Sequence, residues 1–277
     1  MFAGKYSGIL SLSRNSSRIL VLILRFGGGP MEAVLSRLRR CIEDYEMIRA
    51  GDRIAVGVSG GKDSLLLLYA MARLKRFYPL PFELHAITVH PGNPEMDFSG
   101  VAKLCEELEV PYHLVQTEIF PILFEMRKEK NPCSLCAKMR RGAIHNAMGE
   151  LGLNKIALGH HFDDAVETFF LSLFYEGRIS CFQPVTDLDR TGIIQIRPLL
   201  YCGEGMIRNA ALRHRLPIVH NPCPADGSTR RQEVKELVAQ LSKTYPRLKD
   251  YVFGAMQRLP LPEWKPREYR RRPPLEE

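Results

Sequence analysis

Ser59-Gly60-Gly61-Lys62-Asp63-Ser64 stands between a short apolar run, Arg53–Val58, and a leucine-rich stretch continuing from Leu65 to about Phe77. A strand that turns directly into a helix leaves the first helical N–H groups without backbone partners, and they converge on one spot. Glycines at 60 and 61 let the main chain approach an anion with no side chain in the way. Lys62 adds positive charge, Ser59 and Ser64 add hydroxyl donors, and Asp63 can hold a magnesium ion beside a phosphate. A glycine pair is ordinarily just a turn; a strand before, a helix after, and Lys, Asp and two Ser between them read as a phosphate site. The spacing is not that of a Walker loop, which sets its first Gly further from Gly-Lys-Ser/Thr.

Outward from this loop the pattern alternates. Val34, Leu35, Leu38, Cys41, Ile42, Tyr45 and Ile48 recur at helical steps, and Gly51 supplies a stop. Leu84–Val89 reads as a strand, Val101–Glu109 as a helix, Tyr112–Val115 as a strand, and 119–130 and Lys138–Gly149 as helical. Lys155–Leu158 is a strand, a helix opens at 160–164 and runs to about Tyr175, and Ile193–Ile196, a helix near 204–214 and Pro217–Val219 continue the series. Such alternation predicts an α/β fold, a doubly wound, mostly parallel sheet covered on both faces. Ligands in such sheets sit beyond the carboxyl ends of the strands, where the motifs fall. No internal repeat is present.

Composition sets limits. The 277 residues, 45% hydrophobic, suffice for one full-sized core, read as a single domain over 31–258. The net charge of +8 suits a polyanion, but residues 1–30 carry four basic and no acidic residues, leaving 35 against 31 in the rest. Segment 1–30 is read as a non-native or disordered extension, with Met31 the natural start, and the Pro- and charge-rich 259–277 as a flexible tail. Ile19–Leu24 is too short to cross a bilayer, which needs roughly 20 apolar residues. No membrane partner and a cytoplasmic location are expected.

Leu158-Gly159-His160-His161-Phe162-Asp163-Asp164 lies at a strand-to-helix junction. Two His and two Asp there can bind a metal, and capping of the helix explains only one Asp. Of seven cysteines, only Cys133 and Cys136 have ligand spacing; Cys223 stands alone between Pro222 and Pro224. Thiolates near Lys138, Arg140 and Arg141 are ready metal ligands. Cys41, Cys105, Cys181 and Cys202 read as small buried hydrophobes.

Val58–Ser64 resembles the PP-loop of the N-type ATP pyrophosphatases, and 158–164 resembles the second motif of the tRNA-modifying members. Together with Cys-Ser-Leu-Cys at 133–136, Ile-Arg-Pro-Leu at 196–199, Tyr201-Cys202 and a late cysteine, the chain is similar to the tRNA 2-thiocytidine synthetase family, TtcA, over about 34–258. That resemblance implies an adenine-nucleotide alpha hydrolase-like fold and an ATP-dependent tRNA sulfurtransferase that adenylates a cytidine carbonyl in the anticodon loop. It implies ATP contacts at Ser59, Gly60, Gly61, Lys62, Asp63, Ser64, Ala86, His90, Gly159, His160 and Asp164. Catalytic or magnesium roles fall on Asp63, Asp163 and Asp164, and tRNA contacts on Arg140 and Arg141. A 4Fe–4S cluster falls on Cys133, Cys136 and Cys223, with sulfur from a cysteine desulfurase or sulfide; a homodimer is compatible with all of this. Two features depart from the family: a single Cys223 replaces a second CxxC, and the C-terminal extension is short. A uridine thiolase, an ATP- and metal-binding sensor without turnover, and a zinc site completed by His220 remain alternatives.

Overall fold

The computed structural model describes residues 29–129, 132–188, 192–224 and 230–258. The extension read at 1–30 lies outside them except for its last two residues, and the tail at 259–277 lies wholly outside. In chain order the elements are α1 (Pro30–Asp44), β1 (Arg53–Gly57), α2 (Lys62–Lys75), β2 (Glu83–His90), α3 (Ser99–Glu107), β3 (Tyr112–Gln116) and α4 (Pro132–Glu150). There follow β4 (Lys155–Ala157), α5 (Phe162–Leu171), β5 (Val185–Leu188), β6 (Ile193–Ile196), α6 (Glu204–Arg213), α7 (Arg230–Thr244) and α8 (Leu248–Arg258). Short π-helical turns occupy Pro121–Met126 and Ser172–Glu176, and a 3-10 turn Pro198–Tyr201.

The strands form one six-stranded sheet in the order β3-β2-β1-β4-β6-β5, parallel except for the β5–β6 pair. The order runs one way from β1 and the other way from β4. A crevice therefore opens between the carboxyl ends of β1 and β4, where connections leave toward opposite faces. The phosphate loop follows β1 and the His-His-Phe-Asp-Asp stretch follows β4, so topology alone brings them together.

Leu65, Leu66, Leu67 and Leu68 are all fully buried, making α2 a helix with almost no solvent stripe. It lies between the sheet, α1 and α6, and fixes the phosphate loop to the stiffest part of the core. Thr88 Oγ1 donates to Val58 O at 2.9 Å and ties the β1 end to β2. At the other end of the sheet Lys155 and Asp52 form a buried 2.7 Å ion pair beneath β1 and β4.

The expected α/β fold is present, with four local differences. Cys133 and Cys136 sit in the first turns of α4, which begins at Pro132, instead of bracketing a loop before it; proline suits a first helical position. β5 is an added antiparallel edge of four residues, too short for a periodic signal in the sequence. Pro217–Val219 is no strand, because Pro217 has no N–H and Ile218 N–H turns back to Leu216 O. Helices α7 and α8 carry little apolar periodicity, since α7 buries only Val234 and Val238 and α8 only Phe253 and Met256.

Candidate active site

The phosphate loop is built from its own short bonds. Ser59 N–H donates to Ser64 Oγ at 3.1 Å, the two hydroxyl oxygens stand 3.1 Å apart, and Ser64 Oγ donates to Gly61 O at 3.0 Å. Gly60 has φ +86°, and a Cβ there would stand 2.8 Å from Val219 Cβ, so both conformation and space demand glycine. No side chain caps α2 at Gly61, which leaves its first N–H groups open to an anion.

Lys62 reaches Asp63 Oδ2 and Glu204 Oε1, both at 3.2 Å. Burial alone would lower the Lys62 pKa, but the two carboxylates raise it, so the ammonium stays charged. Burial would raise the Glu204 carboxyl, yet Lys235 and Lys62 hold it down at about 2. Asp63 Oδ1 is buried with no hydrogen-bond donor, and the His161 imidazole lies 3.7 Å away. A carboxylate oxygen left bare beside a phosphate cradle fits a divalent cation.

The second motif touches the first through Gly159. A Cβ on it would stand 3.1 Å from Asp63 C and Ser64 N, so only glycine lets the β4 end close on the start of α2. His161 is the N-cap of α5 in a reciprocal box: Asp164 Oδ2 accepts His161 N–H at 3.0 Å, and the His161 ring accepts Asp164 N–H at 3.5 Å. Arg231 approaches the other Asp164 oxygen at 3.7 Å. His160 packs on Phe182, and burial followed by the Arg197 charge pushes its pKa down to about 4, so the ring is neutral.

Two expected site residues have other employment. Asp163 is buried; its Oδ2 accepts Glu204 N–H at 2.7 Å and its Oδ1 takes Lys249 at 2.6 Å. Both oxygens hold α6 and α8 against α5. Ala86 is fully buried in mid-strand, paired with Val56 and Tyr112, and is a core residue; the end of β2 at His90 borders the crevice instead. His90 uses both ring nitrogens on its own loop, accepting Gly92 N–H and donating to Met96 O.

Cys136 and Cys223, far apart in sequence, line one small cleft together with Arg140. Burial raises the Cys136 pKa, Arg140 opposes it, and the nearby Cys223 and Cys133 thiols raise it further. Cys133 is exposed one helical turn before Cys136. Two thiols on the cleft and a third one helical turn away, from two segments, are donors of the type an iron–sulfur cluster takes. Among the described residues, however, no three His, Cys, Asp or Glu side chains are drawn close enough to form a finished metal shell. Arg141, at the next position of α4, is exposed and does not line the cleft.

Residues 31–241 match the PP-loop domain family. A tRNA-cytidine(32) 2-sulfurtransferase of Nitrosomonas eutropha is 39% identical over 234 residues, covering 81% of this chain and 74% of the relative. The one from Geobacter sulfurreducens is 38% identical over 220 residues, covering 78% and 86%. The chain belongs to the tRNA-cytidine 2-sulfurtransferase family of PP-loop proteins. Among solved structures, the U34-tRNA thiolase NcsA of Methanococcus maripaludis, described with its [4Fe–4S] cluster, matches with a TM-score of 0.68 at 24% identity, covering 83% of this chain and 78% of that one. That likeness concerns the fold.

In this PP-loop sulfurtransferase the missed site residues are Glu204, Lys235, Lys249 and Arg231. Glu204 carried a faint signal, an acid in the first turn of a helix. The three cations carried none: on polar helices they look like any solvated face. No helix among the described residues is long and apolar enough to cross a membrane.

Proposed function

We propose that the chain uses ATP to activate a cytidine of tRNA at O2 and replaces that oxygen by sulfur, giving 2-thiocytidine. One observation carries the reading. Val219 N–H donates to Gly60 O at 3.0 Å inside the phosphate loop, and the same short segment runs on through Asn221 to Cys223 in the thiol cleft. That continuity of backbone between the phosphate loop and the thiol cleft supports a two-step transfer on one base. In the first step cytidine O2 attacks the α-phosphorus and pyrophosphate leaves. In the second, sulfur bonds to C2 and AMP departs with the oxygen.

The loop N–H groups and Lys62 bind and orient the phosphates, a role that depends on positioning and charge. The bare Asp63 oxygen supports a magnesium ion there, which would neutralise phosphate charge. Asp164 and His161 hold the start of α5 against the loop, and Asp163 positions α6 and with it Glu204. Cys133, Cys136 and Cys223 are the ligands we assign to a 4Fe–4S cluster, which would supply an iron with an open position for presenting sulfur. Sulfur arrives from a cysteine desulfurase or as sulfide. Arg140 and Arg141 contact tRNA, and a site of free thiols suits the reducing cytoplasm.

Nucleoside analysis of tRNA from cells with and without the chain tests the proposal. Loss of 2-thiocytidine with the chain is expected. Loss of a thiouridine moves the target to uridine, and unchanged tRNA overturns the sulfurtransferase reading.

A further inference from the structure

Lys235, on α7, meets the phosphate loop through Glu204. Its ammonium lies 3.1 Å from both oxygens of that carboxylate, and Lys62 reaches Glu204 Oε1 at 3.2 Å. One carboxylate is thus shared between two ammonium groups. A Lys ammonium carries three donors. Lys62 turns two of them to Asp63 Oδ2 and Glu204 Oε1, and among the described residues the bonds of Lys235 go to Glu204. Each ammonium therefore keeps a donor. Both side chains are part-exposed, at 27% and 42%, so an anion can reach them. Glu204 opens α6 and has its own N–H fixed by buried Asp163, which makes it a held bridge and not a free surface acid.

The side of the loop on which Lys235 lies decides what it can bind. Gly60 meets Val219, from which the chain runs on to Cys223, whereas Asp63 and Ser64 meet Gly159, and Lys62 meets Glu204. Among the described residues the thiol cleft takes walls from the turn after β2, residues 119–124, α4 and 221–223, and none from α5, α6 or α7. In a phosphorus displacement the attacking and leaving oxygens lie roughly in line, on opposite sides. A base held toward the thiols expels pyrophosphate toward Glu204 and Lys235. Resting on the ATP-using reading above, we infer that Lys235 binds the departing pyrophosphate together with Lys62, and that Glu204 is the positioning residue holding the two ammonium groups side by side. As the bond from cytidine O2 to the α-phosphorus forms, the bond from that phosphorus to the oxygen bridging the β-phosphate breaks. Its electron pair leaves with pyrophosphate, and the two ammonium groups meet the charge that results.

The probe is magnesium pyrophosphate, titrated by calorimetry onto the full chain without tRNA, with AMP titrated in parallel. Lys235→Gln is expected to weaken pyrophosphate about ten- to a hundredfold, the loss of one contact between charged groups, and to leave AMP unchanged. Lys235→Arg keeps the charge and should restore most of the pyrophosphate affinity. If Lys235 served only to hold Glu204, Lys235→Gln would cost nothing further in a Glu204→Gln chain. A direct contact with phosphate requires that it still weakens pyrophosphate there. Unchanged pyrophosphate affinity in Lys235→Gln, equal losses for pyrophosphate and AMP, or a silent Lys235→Gln in the Glu204→Gln chain overturns the inference. Because neither tRNA nor sulfur takes part, the expected pyrophosphate pattern in a chain that never thiolates would bring down the sulfurtransferase proposal and leave the Lys235 assignment standing.

Discussion

Asp63 is the residue on which the ATP site turns. One oxygen pairs with Lys62 and the other is buried without a donor, an arrangement that costs stability in the free protein and that a bound cation would relieve. Asp63→Ala is therefore expected to lower tRNA-dependent pyrophosphate release at least a hundredfold, about 2.7 kcal/mol of transition-state stabilisation, with no fall in Tm. Pyrophosphate release alongside a thermal melt checks it, and near-normal turnover would remove Asp63 from the reaction. Glu167 makes a different demand. It is buried in α5, and burial, reinforced by Asp164 and Asp163 against the pull of Lys235 and Arg231, raises its carboxyl from 4.5 to about 7. The folded chain holds this proton to a higher pH than the unfolded chain does. Its stabilising contribution is complete below 4.5 and is lost as pH rises toward about 7. Glu204 runs the other way: with a folded value of about 2 against 4.5, its contribution is present above 4.5 and lost as pH falls toward 2. Because buried neutral His160 gains stability over part of the same range, the test is the difference: between pH 5 and 8 the Tm of Glu167→Gln should rise relative to wild type as pH increases, and parallel profiles would refute the assignment.

Helices α7 and α8 close the site from outside the sheet, and they do so with charge. Lys235 meets Glu204 at 3.1 Å, Arg231 nears Asp164, and Lys249 meets Asp163 at 2.6 Å. Burial alone would raise the Asp163 pKa; Lys249 and Glu204 N–H lower it, so the carboxylate stays ionised and depends on its partners. Lys249→Met leaves that charge buried and unpaired. Lys249 is itself partly exposed, so the cost is discounted to about 1–2 kcal/mol. Tm should drop by roughly 3–6 °C. The Michaelis constant for ATP should also rise, because α6 carries Glu204 beside Lys62. A variant with unaltered Tm and unaltered ATP dependence would make the α8 contact incidental.

At the scale of the molecule the cysteines divide by depth. Cys41, Cys105 and Cys202 are buried, and Cys181 donates to Ala165 O. Burial pushes the thiols of Cys105 to about 11 and of Cys181 and Cys202 to about 12, which keeps them protonated and inert. Cys136 and Cys223 instead line one cleft where α4, the turn after β2 and the segment after Val219 approach one another, with Cys133 exposed one helical turn before Cys136. Protein prepared without oxygen is expected to be brown with about four irons per chain, and to lose colour, iron and thiolation on Cys133→Ala, Cys136→Ala or Cys223→Ala. Changing Cys41, Cys105 or Cys181 should leave all three in place. Colourless protein with one zinc would favour the alternative that includes His220, which is exposed near Cys223 in sequence.

What was legible from sequence alone were the features written in consecutive residues: the glycine loop between an apolar strand and helix, the His161–Asp164 cap, the Cys133–Cys136 spacing and the strand–helix alternation. Each is local, so its chemistry and its spacing appear together in the string. Tertiary structure decided the rest. The reversal of strand order between β1 and β4 put the two motifs in one crevice, and Gly159 let them touch. Ala86 and Asp163 had the right residue type in the right neighbourhood, yet one is sealed in the sheet and the other is spent on Lys249 and the start of α6. Glu204, Lys235 and Lys249 were illegible for the complementary reason: a charge on a polar helix carries no mark of its partner until the chain has folded and placed an opposite charge within 4 Å of it.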